Sequence, residues 1–381
     1  MASEKTNTST QTENKNESIK EKFRRFKEEE MPEGSIEKLQ EEREELKSFI
    51  NKIHSHPTFK KARIILIITT VIIFYFTSFN ITLVFLPFGL AALYIGVPWG
   101  IKAPKQAKFR KAFKEDLVSI IIPHFGKELS YEPFSGIDKE KVNNSLIFPL
   151  KAKDLHAEDH ISGEVNETKI EISEIILQNN PAKEMKGVYF SKKQKEEGEF
   201  TKKYVMKRQV ALMNSPFIGL CFIADFNKHF KGTTVLRPLD YKWRVTKVRK
   251  GKEQRASYNP SSRITDQDES IKLGEVKLED PDFENLYKIY SNDQVAARYI
   301  FSTSMMERIK AFQEKWDEKI FMSFKDSKLY LSIPFSNGLF EPDIQSSEPV
   351  EKQLEHIFYD LENIFGIVEE LKLNQRIWGK A

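Results

Sequence analysis

The sequence has a single cysteine, Cys221, among its 381 residues. One thiol excludes an intrachain disulfide and any zinc site built from several cysteines. So little cysteine is typical of proteins of the reducing cytoplasm.

Neither sign of charge is in large excess. The chain has 60 Lys and Arg against 56 Asp and Glu, a net charge of +4. Nucleic-acid-binding domains usually carry a strong basic surface. We therefore expect no nucleic-acid partner.

Motifs of known catalysts are also missing. None of the 16 glycines falls in a G-x-G or G-K-[ST] setting, and there is no nucleophile elbow or zincin helix. His156 and His160 flank Glu158 and Asp159 and could share a metal on a helix, but the segment is typical of a strand. The sequence predicts no catalytic residue, cofactor or metal, which argues against an enzyme without deciding the question.

The longest stretch without a charged residue is Ile64–Ile101. As a helix it would be about 57 Å long, against about 30 Å of hydrocarbon in a bilayer. We predict a two-helix transmembrane hairpin over residues 62–101, broken near Asn80. The alternative is two buried core helices of a soluble protein.

Basic residues lie on both sides of this stretch. Lys60, Lys61 and Arg63 precede it, and a longer basic cluster follows it. Short basic flanks stay in the cytoplasm. The pattern predicts a multi-pass protein of the inner (cytoplasmic) membrane with both termini in the cytoplasm.

Residues 102–130 are predicted to form a basic amphipathic linker helix, with apolar residues at four-residue intervals from Phe109 to Ile121. We expect its basic side chains to contact lipid headgroups. Ordinary flanking charge explains the same residues. They are Lys102, Lys105, Lys108, Arg110, Lys111 and Lys114.

The composition of residues 1–34 predicts a disordered tail. Residues 35–61 are predicted to form a juxtamembrane helix with apolar heptad positions between Ile36 and Ile53, interrupted by Arg43. That pattern permits weak self-association through residues 36–53 as a short coiled coil. The alternative is a helix that packs on its own domain.

Residues 131–381 alternate between strand and helix patterns. Alternating residues on both sides of Asn166-Glu167-Thr168 predict one β-hairpin, and the segments Ile320–Phe324 and Leu329–Ile333 predict another. The nearly continuous apolar run Phe217–Phe226 is typical of a central strand buried on both faces. A helix from Val350 to Leu371 has one apolar stripe. The predicted fold class is α+β: a two-helix transmembrane hairpin followed by a soluble, mainly antiparallel sheet domain covered by helices.

Two groups of polar residues are candidate sites. Asp225, Asn227 and Lys228 follow the apolar run, and Asx-turn chemistry explains them equally well. Asp293 and Arg298 could form a charge pair at helix ends or hold an anionic ligand.

Three segments carry a resemblance to a known family. They are Gly219–Gly232, Leu278–Tyr299 and the closing helix with Arg376, Ile377 and Trp378. Together with Phe109–Val118 they resemble a family of bacterial membrane proteins catalogued as a domain of unknown function, number thirty-one thirty-seven. Ala296 and Ser304 stand where members often have glutamate and proline. The family has no assigned activity, so the resemblance implies an architecture and, from the neighbouring genes of its members, a membrane complex.

These observations together predict a membrane-anchored cytoplasmic binding or scaffold module, part of an inner-membrane assembly. Its partners would be membrane lipid and a membrane protein. The alternative is an enzyme with an unfamiliar site near Asp225, Asn227 and Lys228.

Overall fold

A computed structural model describes most of the chain outside the long apolar stretch. The described ranges are 18–57, 104–126, 128–148, 151–178, 215–226, 232–239, 243–249, 252–258, 273–335 and 338–373, with the single residues 61, 64, 65, 68, 102 and 241.

Nine of the described strands form one antiparallel sheet, in the order β1-β2-β3-β4-β11-β10-β5-β9-β8. They are β1 (Ser130–Glu132), β2 (Asp154–Val165), β3 (Thr168–Gln178), β4 (Phe217–Asp225), β5 (Thr233–Pro238), β8 (Gly274–Val276), β9 (Tyr287–Ser291), β10 (Phe321–Lys325) and β11 (Lys328–Pro334). A separate hairpin joins β6 (Trp243–Arg249) to β7 (Lys252–Tyr258). Strand β7 lies within the polar segment Arg249–Asp268, for which the sequence pattern predicts no strand.

The two hairpins predicted within the main sheet are confirmed. Asn166 and Glu167 turn the chain between β2 and β3 with φ of 48° and 62°. Asp326 and Ser327 do the same between β10 and β11 with φ of 53° and 56°. Two central residues with positive φ are typical of type I′ turns, whose twist matches that of the strands.

Strand β4 is buried on both faces, as predicted. Leu220 and Phe222 belong to the larger apolar cluster, which includes the C-terminal helix. Cys221 and Ile223 point the other way, into a second cluster. Because side chains alternate along a strand, two apolar faces give a continuous apolar run.

Helices cover both faces of the sheet. They are α1 (Ile19–Glu29), α2 (Ser35–Ser55), α3 (Ser119–Phe125), α4 (Lys139–Asn144), α5 (Pro281–Leu286), α6 (Gln294–Ile300), α7 (Thr303–Trp316) and α8 (Val350–Glu370). Residues 104–113 are helical and lead through a π-helical turn, Lys114–Val118, into α3.

The apolar stripe of α8 lies in the core, as its spacing predicts. Leu354, Phe358, Leu361 and Val368 are fully buried. Asn363 of the same helix is also buried. Helices α1 and α2 cover α8 from outside, which leaves less of its surface to solvent than a surface helix would have.

The N-terminal part of the chain differs from its prediction. Residues 1–34 were expected to be disordered, but α1 occupies Ile19–Glu29 and buries Phe23 and Phe26; residues 1–17 lie outside the described ranges. In α2, the heptad positions Ile36 and Leu46 are buried in the core of the same molecule. Helix α2 therefore packs on its own domain, which was the alternative to a coiled coil. Self-association through residues 36–53 stays a prediction.

The transmembrane part of the predicted fold class requires correction. Among the described residues, no helix is both long enough and apolar enough to cross a bilayer. This finding overturns the predicted transmembrane hairpin and, with it, the multi-pass inner-membrane location. Most of the 62–101 stretch lies outside the described residues.

The flanks of that stretch show why the prediction failed. It treated the basic charge after residue 101 as a sign of membrane orientation, yet part of this charge is bound by the protein. Lys114 is fully buried in an ionic cluster, and Arg110 pairs with Glu341. Phe109 and Phe113, on the same helical segment, belong to the protein core.

Candidate functional site

A groove opens on the sheet near the β2–β3 and β10–β11 turns. Its volume is about 390 Å³, within the range of small-ligand sites. It is lined by Glu128, Ser162, Gly163, Glu164, Lys169, Ile170, Glu171, Ile223, Ala224 and Lys328. Six of these ten residues are polar or charged, and Ile170, Ile223 and Ala224 add apolar surface.

The register of four adjacent strands produces a row of alternating charge along this groove. Glu164 of β2 lies opposite Lys169 of β3, and Asp225 of β4 lies opposite Lys328 of β11. The pairing of Ile170 with Ala224, one position inward, brings Lys169 next to Asp225. Opposite charges on facing strands stabilise a sheet modestly.

Part of this charge is already neutralised. The Nζ of Lys328 lies 2.8 Å from Oδ1 of Asp225. Glu128, Glu164 and Lys169 have no ion-pair partner within the described ranges, and all three are exposed. The groove therefore presents two carboxylates and one ammonium to solvent.

Glu171 lies at the inner end of the groove and is permanently ionised. His160 and then Lys141, whose Nζ lies 2.8 Å from both carboxylate oxygens, lower the pKa of Glu171 to about 2. The strand register places Ser162 opposite Glu171. This carboxylate is a fixed negative charge at any physiological pH.

The predicted polar site does not come together as one unit. Asp225 binds Lys328 at the groove, whereas Asn227 and Lys228 lie outside the described residues. Asp293 follows β9, so three strands and about 19 Å separate it from Asp225 at about 4.8 Å per strand.

Asp293 and Arg298 have structural partners instead of each other. Oδ1 of Asp293 accepts hydrogen bonds from the backbone N–H groups of Val295 and Ala296, and so caps α6. Arg298 donates to Gln294 and to the backbone oxygen of Lys277. Both residues thus stabilise the ends of α6, and these contacts account for their positions without a bound ligand.

The two histidines weighed as metal ligands approach different carboxylates. His156 Nε2 lies 3.9 Å from Glu158, and His160 Nε2 lies 3.9 Å from Glu171. Both residues belong to strand β2, which begins at Asp154, earlier than the strand Asp159–Val165 that the pattern indicates. The structure gives them no shared metal geometry.

The residues predicted to contact lipid are dispersed. Lys105 lies over the ring of Phe49 at 3.8 Å, Lys111 lies 3.8 Å from Glu115, and Lys108 is exposed. Within the described ranges, neither Lys102 nor Lys108 has an ion-pair partner that would place the two side chains in one site. Lipid contact by the exposed members stays a prediction, but Lys114 is buried inside the protein.

Lys114 is the centre of a buried ionic cluster. Its Nζ lies 2.7 Å from Asp159, 3.1 Å from Glu341 and 3.5 Å from Glu158. Burial opposes the charge on Lys114, but these carboxylates outweigh it and raise its pKa well above the usual value. The three carboxylates therefore favour the charged form of the ammonium.

Local backbone irregularities assemble this cluster. The π-helical turn begins at Lys114, and π-bulges re-aim side chains that a regular helix would direct elsewhere. Asp159 lies at a β-bulge of β2 with φ of 58°, and its N–H donates to the backbone oxygen of Pro133. Tyr131 donates to Oδ1 of Asp159 at 2.6 Å.

The carboxylates of the cluster surround a single ammonium. Ligand atoms of Glu158, Asp159 and Glu174 all lie within 4.8 Å of one another. Oε2 of Glu174 also accepts a hydrogen bond from the N–H of Leu339. Lys114 supplies the cation that this acidic group requires, and the cluster joins the helix of residues 104–125 to β2, β3 and the segment before α8.

Sequence reasoning missed both the groove and the cluster. A polar residue at every second position of β3 and β11 indicates a solvated stripe that holds Lys169, Glu171 and Lys328. Two adjacent acids, Glu158 and Asp159, within an otherwise strand-like segment signal a buried basic partner.

Comparison with known proteins gives one family. None of the curated proteins or solved structures is significantly similar to the chain. The model of the family DUF3137, described as a protein of unknown function, matches residues 215–373. This range contains Gly219–Gly232, Leu278–Tyr299 and α8, which carried part of the resemblance seen in the sequence, whereas Phe109–Val118 and Arg376–Trp378 lie outside it. The predicted resemblance is thereby confirmed over residues 215–373, which match the DUF3137 family of unknown function.

Proposed function

We propose that this protein is a binding module that takes a zwitterionic ligand, of the amino-acid or short-peptide type, in the charged groove. One observation carries the proposal: the groove presents Glu128, Glu164 and Lys169 to solvent without described ion-pair partners. A ligand that carries an ammonium and a carboxylate would satisfy both signs at once.

The charged residues at the two ends of the groove already have partners. Lys328 and Asp225 neutralise each other at one end, and Glu171 is bound by Lys141 and His160 at the other. Only the middle of the groove therefore has charge to offer. Charge-assisted hydrogen bonds to such groups are stronger than neutral ones.

An enzyme is less well supported by this site. Nucleophilic catalysis needs a nucleophile and a base within hydrogen-bond reach, about 2.6–3.2 Å. No hydrogen bond of Ser162 to a base is found within the described part of the groove. Binding without chemistry therefore remains the leading interpretation.

The proposal is tested by titrating the full chain with free amino acids and dipeptides and measuring heat or amide NMR shifts. We expect saturable binding of at least one zwitterion, weakened at least tenfold by Lys169→Glu. Lys52→Glu, an exposed change on α2, is the matched control and should bind as wild type. If no zwitterion binds, or if Lys169→Glu binds like wild type, the groove is not the site.

A further inference from the structure

Helix α1 rests on an aromatic face of α8. The ring centroid of Phe358 lies 5.5 Å from that of Phe23 and 5.6 Å from that of Phe26. Phe125 of α3 completes the face at 5.1 Å from Phe358. Phe26 is fully buried and Phe23 nearly so, so these two side chains are the main apolar attachment of α1.

Charge complementarity frames this contact. Lys22 pairs with Glu362, and the Nζ of Lys27 lies 2.6 Å from Oε1 of Glu351. The basic residues belong to α1 and the acidic ones to α8. The face of α8 is therefore both aromatic and acidic, and it suits a basic helix that carries two aromatic residues three positions apart.

The attachment of α1 to the domain is slight compared with that of α2. Helix α1 buries two apolar side chains, whereas α2 buries four, which are Ile36, Leu39, Leu46 and Ile50. Helix α2 buries Leu39 and Ile50, and its Lys47 donates to the backbone oxygen of Ser346 at 3.0 Å. Of these two helices, α1 is therefore the one that can leave the domain at the smaller cost in buried apolar surface.

The connection between the helices is short and is anchored at one point, where Glu30 lies 2.6 Å from Nδ1 of His124. Residues 30–34 join α1 to α2, and Gly34 has φ of 76°, a conformation that glycine adopts without steric cost. Exchange of an identical element between two copies through a hinge keeps every native contact while it creates a dimer. Such exchange needs no new surface.

We propose that the acidic aromatic face of α8 is a helix-docking site, and that its second occupant is α1 of another copy of this chain. In the separate molecule the chain's own α1 fills the site, because tethering gives it a high effective concentration. In a pair of molecules each copy donates α1 to the other. This inference does not use the groove and stands independently of the proposed ligand.

Two singly substituted chains test the exchange, both in a Cys221→Ala background. One carries Lys27→Cys and the other Glu351→Cys, so docking of α1 of one copy on α8 of the other brings the two thiols close together. We expect a disulfide-linked heterodimer after mixing under mild oxidation. The control pairs Lys52→Cys with Glu351→Cys and should form little.

An asymmetry sharpens the test. Lys22→Glu removes one ion pair of α1 while it leaves the buried aromatic contacts in place. In the Glu351→Cys chain it should raise the yield of heterodimer several-fold, because that chain's own helix competes less. In the Lys27→Cys chain it should lower the yield several-fold. Equal effects in both chains, or a yield no higher than the control, would overturn the proposal.

Discussion

The ammonium of Lys114 donates a hydrogen bond to Asp159 at 2.7 Å in the interior of the molecule, although 45 positions separate the two residues in the chain. Burial raises the pKa of Asp159 to about 7, and the nearby Lys114 opposes this rise. The carboxyl group thus binds its proton more tightly in the folded chain than in the unfolded one. Its contribution to stability is full below about pH 4 and is lost as the pH rises through about 7.

Replacement of Lys114 by methionine should therefore destabilise the fold in a pH-dependent way. A buried ion pair that loses one partner leaves an uncompensated charge, at a cost of about 3–5 kcal/mol. We expect the full loss at pH 8 and a smaller one at pH 5, where Asp159 is protonated. Urea unfolding of wild type and variant at both pH values measures the difference.

Lys111→Met is the matched control for this change. Lys111 lies three residues earlier on the same helical segment and is partly exposed beside Glu115. We expect its loss to change the free energy of unfolding by less than about 1 kcal/mol. A Lys114→Met cost that is equal at pH 5 and pH 8 would contradict the assigned role of the buried carboxyls.

Asp360 offers a stabilising substitution. Burial raises its pKa to about 6, with His356 acting in the opposite direction. Because the folded-state pKa is raised, the favourable contribution of this group is full below about pH 4 and is lost as the pH rises through about 6. The gap from the usual value of 3.8 corresponds to at most about 3 kcal/mol.

Asp360→Asn should accordingly raise the melting temperature at pH 7.5, where the wild-type carboxylate is ionised. The gain should shrink toward zero near pH 4, where both side chains are neutral. Thermal unfolding followed by circular dichroism across this range provides the measurement. A gain of the same size at pH 4 and pH 7.5 would mean that burial of charge is not its cause.

Local patterns in the sequence predicted the sheet well. The alternation in β2 and β3, the apolar run of β4 and the stripe of α8 are each determined by residues close together in the chain. The apolar residues repeat with a period of 2.0 in strands and 3.6 in helices, and a local stretch of sequence is enough to show either period. The family resemblance rested in part on β4 and on the closing helix.

Contacts between distant residues could not be predicted in this way. Nothing near Lys114 in the sequence indicates that Asp159 and Glu341 will surround it. The polar composition around Phe23 and Phe26 indicated disorder and not a helix. The two aromatic side chains of this helix contact Phe358, which lies more than 300 positions away in the chain. The groove likewise depends on the register of four strands, which the charges of Lys169 and Asp225 do not reveal by themselves.

The β10–β11 turn permits a further stabilising change. Ser327 has φ of 56°, in the left-handed region that costs a non-glycine residue about 1 kcal/mol. Ser327→Gly should raise the free energy of unfolding by a few tenths to about 1 kcal/mol, because glycine removes this cost and favours a type I′ turn. Chemical denaturation measures it, and Ser327→Val, which favours extended backbone, should act in the opposite direction.

The strongest stability prediction concerns Phe358, which is fully buried beneath α1 and contacts Phe23, Phe26 and Phe125. Truncation of such a side chain removes apolar burial and leaves a cavity, at a cost of about 3–5 kcal/mol. Tyr359 follows it on the same helix but is 45% exposed, so Tyr359→Ala is a control that changes an aromatic residue without opening the core. We expect Phe358→Ala to lower the denaturation midpoint of the full chain markedly and Tyr359→Ala to leave it almost unchanged. Similar losses in both variants would mean that aromatic content stabilises this part of the molecule, and not the packing of Phe358 of α8 against α1 and α3.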